Sequence, residues 1–266
     1  MNYVLLEKSS NKIAWVKLVY QGKVCLLDTT LLKSLYEALA KADRDDEVQA
    51  VILTSSGNDF CAGANLKELM ENDFEAGILW QEAYMKVITL LRDTGKLVVA
   101  AVKGNCVAAG HELVMMCDLV VAGRSSKLGQ PEIIVGSTAL GGGVQLLPLI
   151  VGEKRARELL FTARLLTAEE AYQLGLVNRV VEDGDVEKEA ESLAMEIIER
   201  SSPQAFRVMK SCLKFWTNLA MLNWQLARDL TALVWSTREF KERSVKFLEK
   251  EKITPGRFLG VTPKED

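Results

Sequence analysis

Residues 97–122, LVVAAVKGNCVAAGHELVMMCDLVVA, hold the reading that decides the fold. Residues 97–102 are a wholly apolar run of strand length, the composition of a strand covered on both faces. The small residues of 104–110 then turn the chain into an apolar helix near 111–117, and 119–122 reads as the next strand. Working outward, 13–19 (IAWVKLV) has the branched residues of a strand, and 50–53 (AVIL) is another buried run. Between them, after Gln21-Gly22-Lys23, the spacing of Leu31, Leu32, Leu35 and Leu39 predicts a helix capped by Thr29 or Thr30. A loop at 55–59 and a helix over much of 74–93 follow. Each strand-to-strand step spans tens of residues and carries a helix, which predicts right-handed crossovers and a parallel sheet.

The later chain changes character. Helices are predicted over 153–161, 167–174 and 185–200, the last with Val186, Leu193, Ile197 and Ile198 on its apolar side. From Pro203 almost to Pro255 the chain reads as helical, and it concentrates Phe206, Phe215, Trp216, Trp224, Trp235 and Phe240 there. Such an end either closes over the main domain or packs on another subunit. The expected organisation is an α/β core domain over 1–200 and a helical region over 201–266.

Composition narrows the function. The 266 residues are 48% hydrophobic and 26% charged, which fits one large or two small globular domains. A net charge of −3 supplies no electrostatic footprint for nucleic acid, so no nucleic-acid partner is expected. His111 is the only histidine, which excludes zinc sites needing two imidazoles. The five cysteines (Cys25, Cys61, Cys106, Cys117 and Cys212) form no C-x-x-C pair, and no metal or redox cofactor is expected. The opening MNYVLLEKSSNK lacks a signal pattern and no 18-residue apolar run exists, so the reading is a cytoplasmic, reduced protein without a membrane partner.

Two segments offer chemistry. Residues 60–66 (FCAGANL) and 104–110 (GNCVAAG) are small-residue turns that let a ligand approach main-chain N–H groups. Neither matches a dinucleotide-binding or P-loop pattern. Glu112 stands at the start of an apolar helix, and Glu132 precedes Ile133-Ile134-Val135. Carboxyls in apolar surroundings have their pKa moved toward neutrality. Taken singly, each feature also has a plain structural reading: tight strand–helix junctions, a favourable first-turn acid, a turn residue. His111 reads as structural, and Cys61 and Cys106 as small packing residues.

In combination, CAGANLKE (61–68), VAAGHELVMMCDLV (107–120), GQPEIIVG (129–136) and the segment 141–181 resemble the crotonase (enoyl-CoA hydratase/isomerase) superfamily, over about 13–252. The resemblance implies a core of repeated ββα units, a C-terminal helical region supporting a homotrimer or homohexamer, and an acyl-CoA thioester substrate held by an oxyanion hole. Motif by motif, it assigns the two oxyanion donors to the N–H groups of Ala64 and Ala109. Glu112 and Glu132 fall in the slots of the two glutamates that flank the double bond in hydratases. Substrate contacts fall on Lys23, Ala62, Gly63, Asn65, Leu66, Gly110, Leu140 and Gly141.

The chain also departs from that pattern. Ala109 replaces a glycine, Asn65 replaces an aspartate, and 23–27 (KVCLL) lacks the usual N-A-L. Residues 137–146 lack the proline and Gln-Arg pair, and resemble a branch acting on six-membered-ring acyl-CoA substrates. The expectation is an enoyl-CoA hydratase. The alternatives are a hydrolase or decarboxylase of a modified or cyclic acyl-CoA, or a CoA- or RNA-binding relative with little catalysis. The retained glutamates and the net charge argue against the last. Lys246, Lys250 and Lys252 read as a solvated helical face rather than as contacts to CoA phosphates.

Overall fold

Parity along the strands explains the layers. The computed structural model describes residues 2–258, so 259–266 of the expected C-terminal region lie outside the described residues. In chain order its first half runs β1 (Tyr3–Lys8), β2 (Ile13–Val19), α1 (Thr29–Arg44), β3 (Ala50–Ser55), α2 (Leu66–Glu71), α3 (Phe74–Asp93) and β4 (Leu97–Val102). There follow β5 (Asn105–Val107), α4 (Ala109–Met115), β6 (Leu119–Gly123), β7 (Lys127–Gly129) and a 3-10 turn at Glu132–Val135. After these come α5 (Gly143–Val151), α6 (Glu153–Thr162), β8 (Leu166–Thr167), α7 (Ala168–Gln173), β9 (Arg179–Val181) and α8 (Val186–Arg200).

Six strands form one sheet in the order β1-β2-β3-β4-β6-β9. Ile13, Ala50, Ile52, Leu97, Val99 and Val121 face one way and pack with Val186, Ala190, Leu193 and Ala194 of α8. Their neighbours Ala14, Val16, Val51, Leu53, Val98 and Ala100 face the other way, into the larger core with α1 and α3. Burial on both faces is why these strands read as continuous apolar runs. From β2 to β9 every pairing is parallel, as the crossovers predict. The exception is β1, which the sequence reading left out. It pairs antiparallel with β2 through a local turn, needs no crossover, and presents a half-exposed edge without the apolar run of its neighbours.

A second, three-stranded sheet (β5-β7-β8) grows from the ends of the first. The chain leaves β4 at Gly104, with φ +56°, where a Cβ would lie 2.2 Å from the Asn58 carbonyl oxygen. That corner needs glycine. It makes β4-β5-α4 a strand–strand–helix unit, and β6-β7 with the 3-10 turn repeats the plan.

One local reading is corrected. The cap of α1 is Asp28, whose carboxylate accepts from the Leu31 N–H at 2.8 Å, because Glu68 occupies the Thr29 hydroxyl and N–H. The C-terminal stretch, helical as expected, consists of three helices: α9 (Pro203–Ala220), α10 (Trp224–Trp235) and α11 (Arg238–Leu248). Helix α10 lies on α3, where Gly77 leaves room for Ala232, and α11 packs on the 3-10 turn and α2. These two helices close over the main domain and bury Trp235 and Phe240. Helix α9 does not. Its only buried residue is Lys210, whose ammonium donates to Asp118 Oδ2 at 2.6 Å and to the Lys96 carbonyl at 2.8 Å. Val208, Met209, Leu213, Phe215, Trp216 and Leu219 of the same helix are exposed.

Candidate active site

The two small-residue turns are neighbours. Asp59 Oδ1 accepts from the backbone N–H of Asn105 at 2.7 Å, which ties the first loop to the second. Cys61 then pairs with the strand at Cys106: its N–H donates to the Asn105 carbonyl, and its carbonyl accepts from the Val107 N–H, each at 3.0 Å. On the other side Leu27 pairs with Ala64, using the Gly63 carbonyl and the Asn65 N–H. This parallel bridge spends the groups flanking Ala64 and leaves its own N–H without a partner among the described residues. Ala109 opens α4, and a first-turn N–H has no intrahelical acceptor. The two free N–H groups therefore stand on adjoining segments.

The departure from glycine has its structural effect at Ala108, which takes φ +53°, ψ −133°, rather than at Ala109, which is helical. Such a conformation costs a side-chain-bearing residue about 1–3 kcal/mol. Gly63 accommodates it, because a Cβ there would lie 2.8 Å from the Ala108 methyl.

Both acids are buried: Glu112 is 4% exposed and Glu132 9%. Burial pushes the Glu112 carboxyl up to about 7, against the N–H groups of Gly143 and Gly141, which favour its ionised form. The Gly143 N–H donates to Glu112 Oε1 at 2.8 Å. Glu132 is raised well above the ordinary carboxylate range, first by burial and then by the charge of Glu112. Two carboxyls that share an apolar site ionise one before the other. Gln130 orients the second: with its amide turned so that both of its atoms find partners, the nitrogen donates to Glu132 Oε1 at 2.8 Å and the oxygen accepts from His111 Nδ1 at 3.1 Å. Burial lowers His111 to about 4, so the ring is neutral with its proton on Nδ1.

A cavity of about 410 Å³ joins these groups. Of the residues expected from the sequence, Ala62, Ala64, Asn65, Leu66, Ala109, Glu112, Glu132 and Gly141 line it. Gly63 and Gly110 stand behind its wall, where Gly110 gives room to Cys61, 2.6 Å from the place a Cβ would take. Leu140 lines an adjacent groove that shares Glu132, Ser137 and Thr138 with the cavity. Lys23 is exposed and outside the lining, although Val24 and Leu26 are in it. His111, Cys61 and Cys106 are buried, in line with structural and packing readings.

The sequence reading missed Trp80, Gln81 and Tyr84 of α3, and placed Trp235 only in a general helical end. Trp80 stacks on Tyr84, with centroids 5.4 Å apart, and meets Trp235 edge-on. The Tyr84 hydroxyl donates to the Ala109 carbonyl at 2.7 Å. The recurrence of 77, 80, 81, 84, 88 and 91 marks a buried face of α3. Periodicity does not say that part of that face fronts an empty space. Among the described residues no cluster of three metal-ligating side chains occurs, and no helix is long and apolar enough to cross a membrane.

The chain is similar to known proteins over almost its whole length. The pattern of the family described as "Enoyl-CoA hydratase/isomerase" matches residues 8–255. The short-chain-enoyl-CoA hydratase of Clostridium acetobutylicum is 34% identical over 259 residues, covering 95% of this chain and 97% of that protein. The crotonyl-CoA hydratase of Syntrophomonas wolfei is 33% identical over 260 residues, covering 94% and 96%. A solved enoyl-CoA hydratase/isomerase from Xanthobacter autotrophicus Py2 superposes with a TM-score of 0.82 at 26% identity, over 92% of this chain and 93% of that one. Family pattern, full-length relatives and fold coincide on the same residues, and the chain belongs to the enoyl-CoA hydratase/isomerase (crotonase) family.

Proposed function

We propose that the protein is an enoyl-CoA hydratase, adding water across the α,β-double bond of an acyl-CoA thioester. The observation that carries this reading is the pair of buried, elevated carboxyls facing one cavity with two unpartnered N–H groups. The N–H groups of Ala64 and Ala109 receive the thioester oxygen, and they hold it more tightly as it gains enolate charge. Each such donor contributes about 3–4 kcal/mol in comparable holes. Ionised Glu112, stabilised by the Gly143 N–H, takes a proton from water as its oxygen bonds to the β-carbon. Protonated Glu132 gives its proton to the α-carbon as the enolate collapses, and Gln130 fixes the carboxyl's orientation. Proton exchange then restores both groups. No further cofactor enters the scheme.

The CoA moiety extends toward the segment 23–27, whose Val24 and Leu26 face the cavity, with Lys23 at its outer side. The exposed apolar face of α9 serves assembly into a trimer or hexamer.

Glutamine variants test the reading, since glutamine keeps the shape of the side chain but cannot exchange its proton. Glu112→Gln and Glu132→Gln should each lower kcat by orders of magnitude while CoA-ester affinity changes little. The double variant should be scarcely worse than the poorer single one. Hydration by Glu132→Gln at the wild-type rate would end the two-carboxyl reading, and release of free CoA in place of the hydrated ester would favour a hydrolase.

A further inference from the structure

The cavity wall made by α3, α10 and the segment after the 3-10 turn is apolar and aromatic, and its polar side chains are almost all engaged. The Trp235 indole N–H donates to Ser137 Oγ at 2.8 Å, and Thr138 Oγ1 is 2.9 Å from Thr231 Oγ1. The Tyr84 hydroxyl is held by the Ala109 carbonyl. The exceptions are the Trp80 indole N–H, which is buried without a partner among the described residues, and the side chain of Gln81. Gln81 lines the cavity, is 4% exposed, and its amide has no hydrogen-bond partner among the described residues. Leaving a buried amide unpaired is unfavourable, and native structures reserve such groups for a ligand or water. Nothing in packing calls for an amide there, because a leucine or methionine would fill similar space among Trp80, Tyr84 and Trp235.

We propose that Gln81 reads an oxygen function on the acyl group, so that the preferred substrate is an enoyl-CoA carrying a hydroxyl or keto oxygen rather than a plain hydrocarbon chain. This rests on the hydratase reading above and narrows its substrate class. The position follows from the helix. Tyr84 abuts the Ala109 turn and Glu112, and Gln81 lies three residues earlier on α3, about 4.5 Å along the axis. The oxygen therefore sits about three bonds beyond the reacting double bond, through C3–C4, C4–C5 and the C5–O bond. An amide offers both N–H donors and a carbonyl acceptor, so it pairs with a hydroxyl or a ketone alike. A site built to hydrogen-bond a substrate oxygen rejects the analogue that lacks it more strongly than a hydrocarbon pocket rejects an added oxygen.

The test compares hex-2-enoyl-CoA with its 5-hydroxy and 5-oxo derivatives, in wild type and in Gln81→Met and Gln81→Leu. The wild type should favour an oxygenated ester in kcat/KM by at least about tenfold, the effect of one well-placed hydrogen bond. Both variants should lose or invert that ratio, a change that a general loss of stability does not produce. Calorimetric binding of the saturated pair, hexanoyl-CoA and 5-oxohexanoyl-CoA, gives the same ratio without turnover. Preference of the wild type for the hydrocarbon ester, or an unchanged ratio in both variants, overturns the proposal and points to a bound water as the amide's partner. If none of the three enoyl esters is hydrated, the hydratase reading fails, while the saturated pair still decides for or against Gln81.

Discussion

Gly141→Ala probes the catalytic geometry through a single methyl group. A Cβ at Gly141 would sit 2.6 Å from Glu112 Oε2 and 2.8 Å from Tyr84 Cε1. Gly141 is not among the positive-φ glycines, so alanine meets no backbone obstacle and the collision is the whole perturbation. To regain ordinary contact at 3.4 Å, the carboxylate oxygen must withdraw by about 0.8 Å. The Tyr84 ring cannot give way freely, because its hydroxyl is bonded to the Ala109 carbonyl and its face is stacked on Trp80. The displaced carboxylate also strains its bond from the Gly143 N–H. A misplacement near 1 Å costs on the order of 100-fold in rate, whereas one extra methyl in a packed site costs about 1–3 kcal/mol of stability. The expected result is a folded variant with kcat about 100-fold lower and KM little changed. The assay follows loss of the enoyl-thioester absorbance with crotonyl-CoA, alongside thermal unfolding. Gly184→Ala is the control, since nothing lies within 4 Å of its Cβ position. A stable Gly141→Ala enzyme retaining kcat within a few-fold of wild type would refute the placement of Glu112 as the base.

Four further outcomes are expected. With Glu112 raised to about 7, and Glu132 raised well above the ordinary carboxylate range by burial and by the charge of Glu112, kcat/KM should fall as the pH drops through about 7, where the base is protonated, and fall on the alkaline side as Glu132 ionises. Both carboxyls hold protons more tightly folded than unfolded, so the stability they contribute is fully present below the ordinary carboxylate value of 4.5 and is lost as pH rises from there through about 7; denaturant midpoints at about pH 4 and about pH 8 check this. Lys210→Met should destabilise the protein by about 1–3 kcal/mol, because it removes the two hydrogen bonds of a buried ammonium and takes the ion-pair partner from the partly exposed Asp118. Since burial already raises Asp118, the loss should shrink at acidic pH, and a pH-independent loss in denaturant titrations would contradict that cause. Leu213→Glu places a charge on the exposed apolar face of α9 and should convert the assembly to monomers by light scattering; an unchanged mass, or a monomeric wild type, would show that this face is not the interface.

Much of this was legible because burial on both faces leaves an unambiguous trace. The strands at 13–19 and 97–102 coincide with β2 and β4 at both ends, and the helix expected over much of 74–93 is α3, which fills that span. Their apolar runs and periods are set by local contact with a core, which composition reflects directly. Helix α2 and the three-residue strands β5, β7 and β9 escaped, because each is too short to repeat a pattern. Their strand pairing comes from the sheet to which they add, not from their own residues.

The sequence by itself determined the order of alternating strands and helices, the two small-residue turns, and the presence of Glu112 and Glu132 after them. Those properties depend on residue types at short separations. Tertiary structure alone decided which N–H groups stay free, because that depends on Leu27 and Cys106 pairing with the chain on either side of Ala62-Gly63-Ala64. It also decided that the strained alanine is Ala108, that Gln130 and His111 hold Glu132, and that α3 and α10 bring Trp80, Gln81 and Trp235 to the same cavity. Residues 81 and 235 are far apart in the chain, and no local pattern can report a space they enclose together. Hydrogen-bond satisfaction and desolvation are properties of the assembled surroundings, and they set which carboxyl ionises first and which amide has no partner within the protein.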